Sequence, residues 1–161
     1  MESNIKLMKM PVPYEPKKNN RWVVKLPEEF DIDDWVLRAT ERPSAKIVDG
    51  EVIPNPISIK FYDPIGPSTA QKVFLAMVGL TTYDNDAQYD KPKMHKETMK
   101  NLKDGFDYTL ELLDPTGFPI ENWTISGCKL IGVDFGKLNY ADDDVCSVTI
   151  ILQPKSFVLL Y

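Results

Sequence analysis

Three carboxylates stand together at Asp142-Asp143-Asp144, and such a run invites a cation. Calcium loops, however, space their carboxylates at alternate positions, need a turn glycine and close on a bidentate Glu. Here the three are contiguous, and neither the glycine nor the closing Glu follows. Adjacent residues of an extended chain point to opposite faces, so a shared ion would be held awkwardly. The reading that fits is a solvated acidic turn that discourages stray edge pairing. His95 is the sole imidazole. A general base needs a nucleophile and an orienting partner within reach, and its neighbours Met94 and Lys96 are neither. Two cysteines, Cys128 and Cys146, with one histidine fall short of a zinc set. The first residues, Met1-Glu2-Ser3-Asn4-Ile5-Lys6, form no apolar leader, so both thiols are expected reduced, in a cytoplasmic setting. No nucleophile elbow, phosphate loop or dinucleotide fingerprint is present. The expectation is a protein that is not an enzyme and carries no cofactor or metal.

The residues that could do chemistry cluster on what reads as one hairpin, so the elements that would position them come next. From Trp123 a β-rich arm runs to Tyr140, interrupted by Gly127, Gly132 and Gly136. Glycines inside strands mark bulges, bends or close backbone approach. After the acidic tip the return arm places Cys146, Val148, Ile150 and Leu152 on one face. An arm this long projects past its own sheet and leaves edges that a second subunit could pair. Upstream, Phe106, Tyr108, Leu110 and Leu112 alternate with polar residues as a strand, closed by the turn Asp114-Pro115-Thr116-Gly117. Further strands are expected at Arg21–Leu26, Trp35–Thr40 and Ile57–Tyr62. Pro54, Pro56 and Pro64 bracket the last of these and suggest an edge position. One helix follows Pro67-Ser68-Thr69, with Val73, Phe74, Met77 and Val78 as its apolar stripe and Gly79 at its end. Residues 81–104 are polar and read as a long loop.

The chain of 161 residues is long enough for one real core. Pro11, Pro13 and Pro16 set residues 1–20 apart as an N-terminal arm, leaving 21–161 as a single domain. The fold class expected is mainly β: an antiparallel barrel or sandwich with one flanking α-helix and an extended C-terminal hairpin. Net charge is −5 and is uneven: residues 105–161 carry three lysines against eight acids. That balance disfavours a grip on nucleic acid, and no apolar run is long enough to span a membrane.

Several segments resemble the tail tube proteins of bacteriophages, above all those of contractile tails, and the inner tubes of phage-like contractile injection systems. The opening strand Asn20-Arg21-Trp22-Val23-Val24 and the element Arg42-Pro43 are similar to theirs. So is the C-terminal half: Leu113-Asp114-Pro115-x-Gly117, Trp123-x-Ile125-x-Gly127, Val133-x-Phe135-Gly136-x-Leu138-x-Tyr140, Asp142-Asp143-Asp144 and Val148-Thr149-Ile150. The resemblance spans Asn20 to Leu152 and is weakest between 44 and 104. It implies a tail-tube-like β-barrel domain at 21–161 and a structural virion protein. Six subunits would form a ring, and rings would stack into a tube for DNA ejection. DNA would transit the lumen without specific binding, past acidic walls that repel phosphate. Partners would be other copies of the chain, with tail sheath, baseplate or terminator proteins beside them. The place of action would be the virion tail, assembled in the host bacterial cytoplasm. The candidate subunit interface comprises Asn20, Arg21, Trp22, Arg42, Pro43, Phe135, Gly136, Leu138, Tyr140, Asp142, Asp143 and Asp144. A proline at Ser147 is then expected to block assembly more than folding. Two alternatives stand beside the tube subunit: a ring at the tube's end, or a β-sandwich binding module of a tail appendage whose Trp22, Trp35 and Trp123 stack on sugars.

Overall fold

The computed structural model describes residues 16–82 and 97–161. Most of the expected arm, most of the polar loop and His95 lie outside the described residues. Nine strands and one helix are described: β1 (Trp22–Lys25), β2 (Leu37–Thr40), β3 (Ala45–Val48), β4 (Glu51–Pro54), β5 (Ile57–Tyr62), α1 (Thr69–Leu80), β6 (Phe106–Leu113), β7 (Pro119–Asp134), β8 (Ser147–Gln153) and β9 (Ser156–Leu159). All described pairings are antiparallel. The fold is therefore mainly β with one flanking helix, as the alternation of apolar residues implied.

The hydrogen-bonded order is β1-β6-β7-β8-β5-β2, with β9 added on β7. No pairing between β1 and β2 closes the circuit among the described residues, so the sheet stays open and folds over on itself like a sandwich. The fold-over occurs within β7, whose 16 residues serve both layers. Its first half lies between β6 and β9, and its second half pairs with β8. The change of partner falls at Gly127, which sits at a bulge against β6 with φ of +65°. A side chain there would strain the backbone, and its Cβ would come within 2.7 Å of Lys155 Cβ. A long arm broken by glycines is thus one bent strand shared by two layers.

Between the layers lies one core. Phe106, Tyr108, Leu110 and Leu112 face inward from β6, Ile57, Ile59 and Phe61 from β5, and Val148, Ile150 and Leu152 from β8. Helix α1 covers this core with Val73 and Ala76; Phe74 and Met77, expected at its centre, are only half-buried. The helix begins at Ser68, whose Oγ accepts from Gln71 N at 3.2 Å, and Asp63 Oδ1 accepts from Ala70 N at 3.0 Å. It runs through Gly79 rather than ending there, and Thr81 closes it by donating N–H and Oγ1 to Met77 O.

Four expectations change. Strand β5 is interior, between β8 and β2, because Pro54, Pro56 and Pro64 all fall outside its ladder and remove no hydrogen bond from it. Trp35 lies in a 3-10 turn, Asp34–Val36, before β2 rather than in a strand. Cys146 does not share the buried face of Val148: it stands exposed before β8, its carbonyl accepting from Asp63 N. Ser147 pairs with Tyr62 within the same chain, so a proline there attacks the fold itself and does not separate assembly from folding.

Candidate subunit interface

The link between β7 and β8 holds most of the candidate residues. Phe135, Gly136, Leu138, Tyr140, Asp142, Asp143 and Asp144 are all exposed on it. Its shape is set by polar side chains that bond to their own backbone in place of a ladder. Asp134 Oδ1 accepts from Gly136 N, Asn139 Oδ1 from Ala141 N, and Asp142 Oδ1 from Asp144 N, at 2.8, 3.0 and 2.9 Å. Gly136 has φ of +87°, and a Cβ on it would lie 2.8 Å from Ser147 O. Only glycine lets the chain leave β7 so close to the start of β8. The acidic tip is therefore a turn device, and no cluster of three or more metal-ligating side chains occurs among the described residues.

One acid of the tip reaches the sheet. Arg38 Nη2 donates to Asp144 Oδ2 at 3.3 Å, and the same guanidinium lies over the Tyr62 ring, 5.2 Å from its centroid. The Arg38 hydrogen bond, with help from Val145 N and the nearby Lys60 charge, holds the Asp144 carboxyl below its ordinary range. Beneath the link is a solvent-open cavity of about 760 Å³, lined by Arg38 and Lys60 from the sheet and by Phe135 to Ser147 of the link, Asp143 excepted. Leu138 and Tyr140 turn away from any cover, 87% and 111% exposed.

The remaining candidates gather at the open seam. Trp22 and Arg42 line a cleft between β1 and β2, and Asn20 lines an adjoining one that Arg38 shares with the cavity above. Arg21 O accepts from Leu113 N, and Pro43 is half-buried beside Arg42. The two groups of candidates are thus neighbours through Arg38, a residue the sequence did not single out.

Glu121 also escaped the sequence reading, for want of any local signal. It is 3% exposed, and its carboxylate accepts from Trp123 Nε1 and from Lys17 Nζ, with Arg42 Nε at 3.1 Å. Burial pushes this carboxyl up, but the Lys17 and Trp123 hydrogen bonds and the Arg42 charge outweigh it, so its pKa lies below the ordinary value. One carboxylate thereby ties the segment before β1 and the chain after β2 to β7, across the seam where the sheet does not close. The tryptophans of the sugar-binding alternative divide: Trp22 and Trp123 are half-buried, and Trp35 alone is open, at 64%. The two thiols divide as well. Burial, with Asp107 nearby, pushes Cys128 up to about 12, whereas Cys146 is free and exposed on the cavity rim.

The site and the fold together define a class: an open, two-layered antiparallel β domain with a flanking helix and a projecting β7–β8 link. No protein-family model matches the sequence, and no curated protein does. Solved structures do match. A chain of the sheath–tube complex of the PVC extracellular contractile injection system, in its extended state, is similar with a TM-score of 0.59 at 15% identity, over 92% of this chain and 93% of that one. A chain of the same system's sheath/tube terminator gives 0.57 at 14%, over 93% and 100%. The anti-feeding prophage cap, a tube-terminating cap, gives 0.58 at 10%, over 94% and 95%. At such identities the likeness establishes the fold. This chain has the fold of components of contractile injection systems, the group that its sequence resembles.

Proposed function

We propose that this chain is a structural subunit that joins identical copies into a six-membered ring, and that such rings stack into the hollow tube of a phage tail or phage-like injection particle. The observation that carries this reading is the open sheet. β1, β2 and β9 each keep one edge unpaired among the described residues, and apolar side chains stand uncovered at both ends of β5. A lone domain with such edges is prone to unspecific association, whereas a ring in which each edge meets a neighbour removes them. The likeness to chains of sheath–tube and terminator assemblies supports the same reading. Asn20 to Trp22, Arg42, Pro43 and the 135–144 link then meet neighbouring copies, and residues 1–20 act as an arm apart from the 21–161 domain. The net charge of −5 suits a lumen through which DNA slides unheld. Sheath and baseplate proteins would be the outer partners, and assembly would take place in the bacterial cytoplasm.

A second reading, a ring at the tube's end, is favoured by TM-scores of 0.57 and 0.58 to terminator and cap chains, level with 0.59 for the sheath–tube chain. Negative-stain microscopy of the purified protein separates the two. Six-fold rings stacked into tubes of indefinite length are the expected result; rings that stop at one or two layers would indicate the end ring. Monomers alone, at high concentration and physiological salt, would overturn both.

A further inference from the structure

Residues 17–20, just ahead of β1, stand in the open seam. Lys18 and Asn19 line the first cleft between β1 and β2, of about 290 Å³, and Asn19 and Asn20 line the second. Trp22 borders both. The first cleft is also lined by Leu110 and Leu112, buried core residues of β6. β1 and β2 end the hydrogen-bonded order, and each keeps an edge unpaired among the described residues. Unpaired edges beside core leucines are what a second chain would seek, and residues 17–20 share that space.

The way this segment is held sets it apart. Residues 17–20 belong to no strand. Among the described residues their side chains make one bond, from Lys17 Nζ to Glu121 Oε2. Glu121 does not depend on that bond alone. Arg42 Nε stands 3.1 Å from its other oxygen, and Trp123 Nε1 donates to that same oxygen. Breaking a buried ion pair is costly when it strands an uncompensated charge. Loss of Lys17 strands none here, because the carboxylate keeps a cation and a hydrogen bond. The Lys17 side chain is also 46% exposed, so water and salt compete for its ammonium. Of the two cations on Glu121, Lys17 is the one whose departure frees a segment without strand pairing.

We propose that residues 17–20 are a releasable strap that masks the seam of the unassembled chain, latched by Lys17 on Glu121, and that a second copy displaces the strap when the two copies meet at this seam. Latched, the strap occupies the clefts and raises the concentration at which copies join. Released, it leaves Arg42 to neutralise Glu121 and opens the clefts to the incoming copy. The inference rests on the reading that copies of this chain assemble, and it adds a control on when they do so.

Two measurements on the full chain test it. The first is made on dilute, unassembled protein in a Trp35→Phe background, which removes the most exposed indole. There Lys17→Gln is expected to raise acrylamide quenching of tryptophan fluorescence, because Trp22 loses its cover. The second is the concentration at which rings first sediment. It should fall about fivefold in Lys17→Gln, the effect of one partly screened ion pair. Lys17→Arg keeps the charge and should quench and assemble as the unmodified protein does. A latch that merely supports the fold would lower the melting temperature of Lys17→Gln without lowering the onset of assembly. Unchanged quenching in Lys17→Gln, an onset that stays or rises, or a Lys17→Arg chain that behaves like Lys17→Gln would each overturn the strap and leave the ring reading standing. If none of these chains forms rings at any concentration, the assembly reading falls and the strap's role falls with it.

Discussion

Glu121 is the buried carboxylate at the open seam. Its carboxylate sits almost wholly out of water and gathers Lys17, Arg42 and the Trp123 indole from three parts of the chain. Both cations remain about half exposed, so solvent screens part of the attraction, and the hydrogen bonds carry more of it. Glu121→Gln keeps the shape and removes the charge, and it should lower stability by about 1–3 kcal/mol near neutrality. The pH dependence has a definite sign. The folded carboxyl titrates below its ordinary value, so its contribution is complete above about pH 4.3 and is lost as pH falls through the folded pKa. Melting curves of the two proteins should therefore stay a fixed distance apart from pH 8 to 5 and converge on further acidification. A gap that widened in acid would contradict this role. The acids at 142–144 show the other use of carboxylates. They were legible in the sequence as a solvated turn, because contiguous carboxylates would hold a shared ion awkwardly, and Asp142 and Asp144 bond to their own backbone.

At the scale of elements, alternation was the dependable signal. β6 and β8 bury every second residue where the pattern placed them, since a strand with one wet face has no other choice. Helix α1 was legible from its start chemistry, Ser68 in particular. Ser68→Ala should cost about 0.5–2 kcal/mol, read as a lower urea midpoint with an unchanged slope. Removing Asp63 as well should cost more, because Ala70 N then loses its acceptor. An unchanged midpoint in Ser68→Ala would mean that the cap does not hold the helix. The β3–β4 hairpin had a legible signal that went unread. Asp49-Gly50 between Ile47-Val48 and Val52-Ile53 is the dipeptide most diagnostic of a tight hairpin. Met99 offered no such signal: it is fully buried, yet it stands in a polar stretch with no apolar period. Only the packing of neighbouring elements could select it.

For the whole molecule, the decisive fact is that a single cluster joins both layers and the helix. Residues of β1, β5, α1, β6, β7 and β8 belong to it, with Trp22 and Trp123 packed against it. Unassembled protein should therefore unfold in one cooperative step, with tryptophan fluorescence and far-ultraviolet circular dichroism changing together. Two separated transitions would show that the layers on either side of Gly127 are independent units. The same architecture explains why the surface is unfinished. Closing the sheet between β1 and β2 would have made a self-contained barrel, but the clefts there are lined by Trp22, Arg42 and Arg38 instead.

Local chemistry determined what could be read without coordinates. Alternating apolar residues fixed which strand faces are buried, turn residues placed the breaks, and the lack of any nucleophile–base pair or metal spacing pointed away from catalysis. The glycines announced close approach and bending, and Gly127 and Gly136 do just that. What only the tertiary structure decided are relations between residues far apart in the chain. Which strands are interior, that β7 serves two layers, and that Lys17 and Arg42 meet over Glu121 all depend on topology. Sequence periodicity records which way a side chain points, but it holds no information about which distant backbone comes to lie beside it.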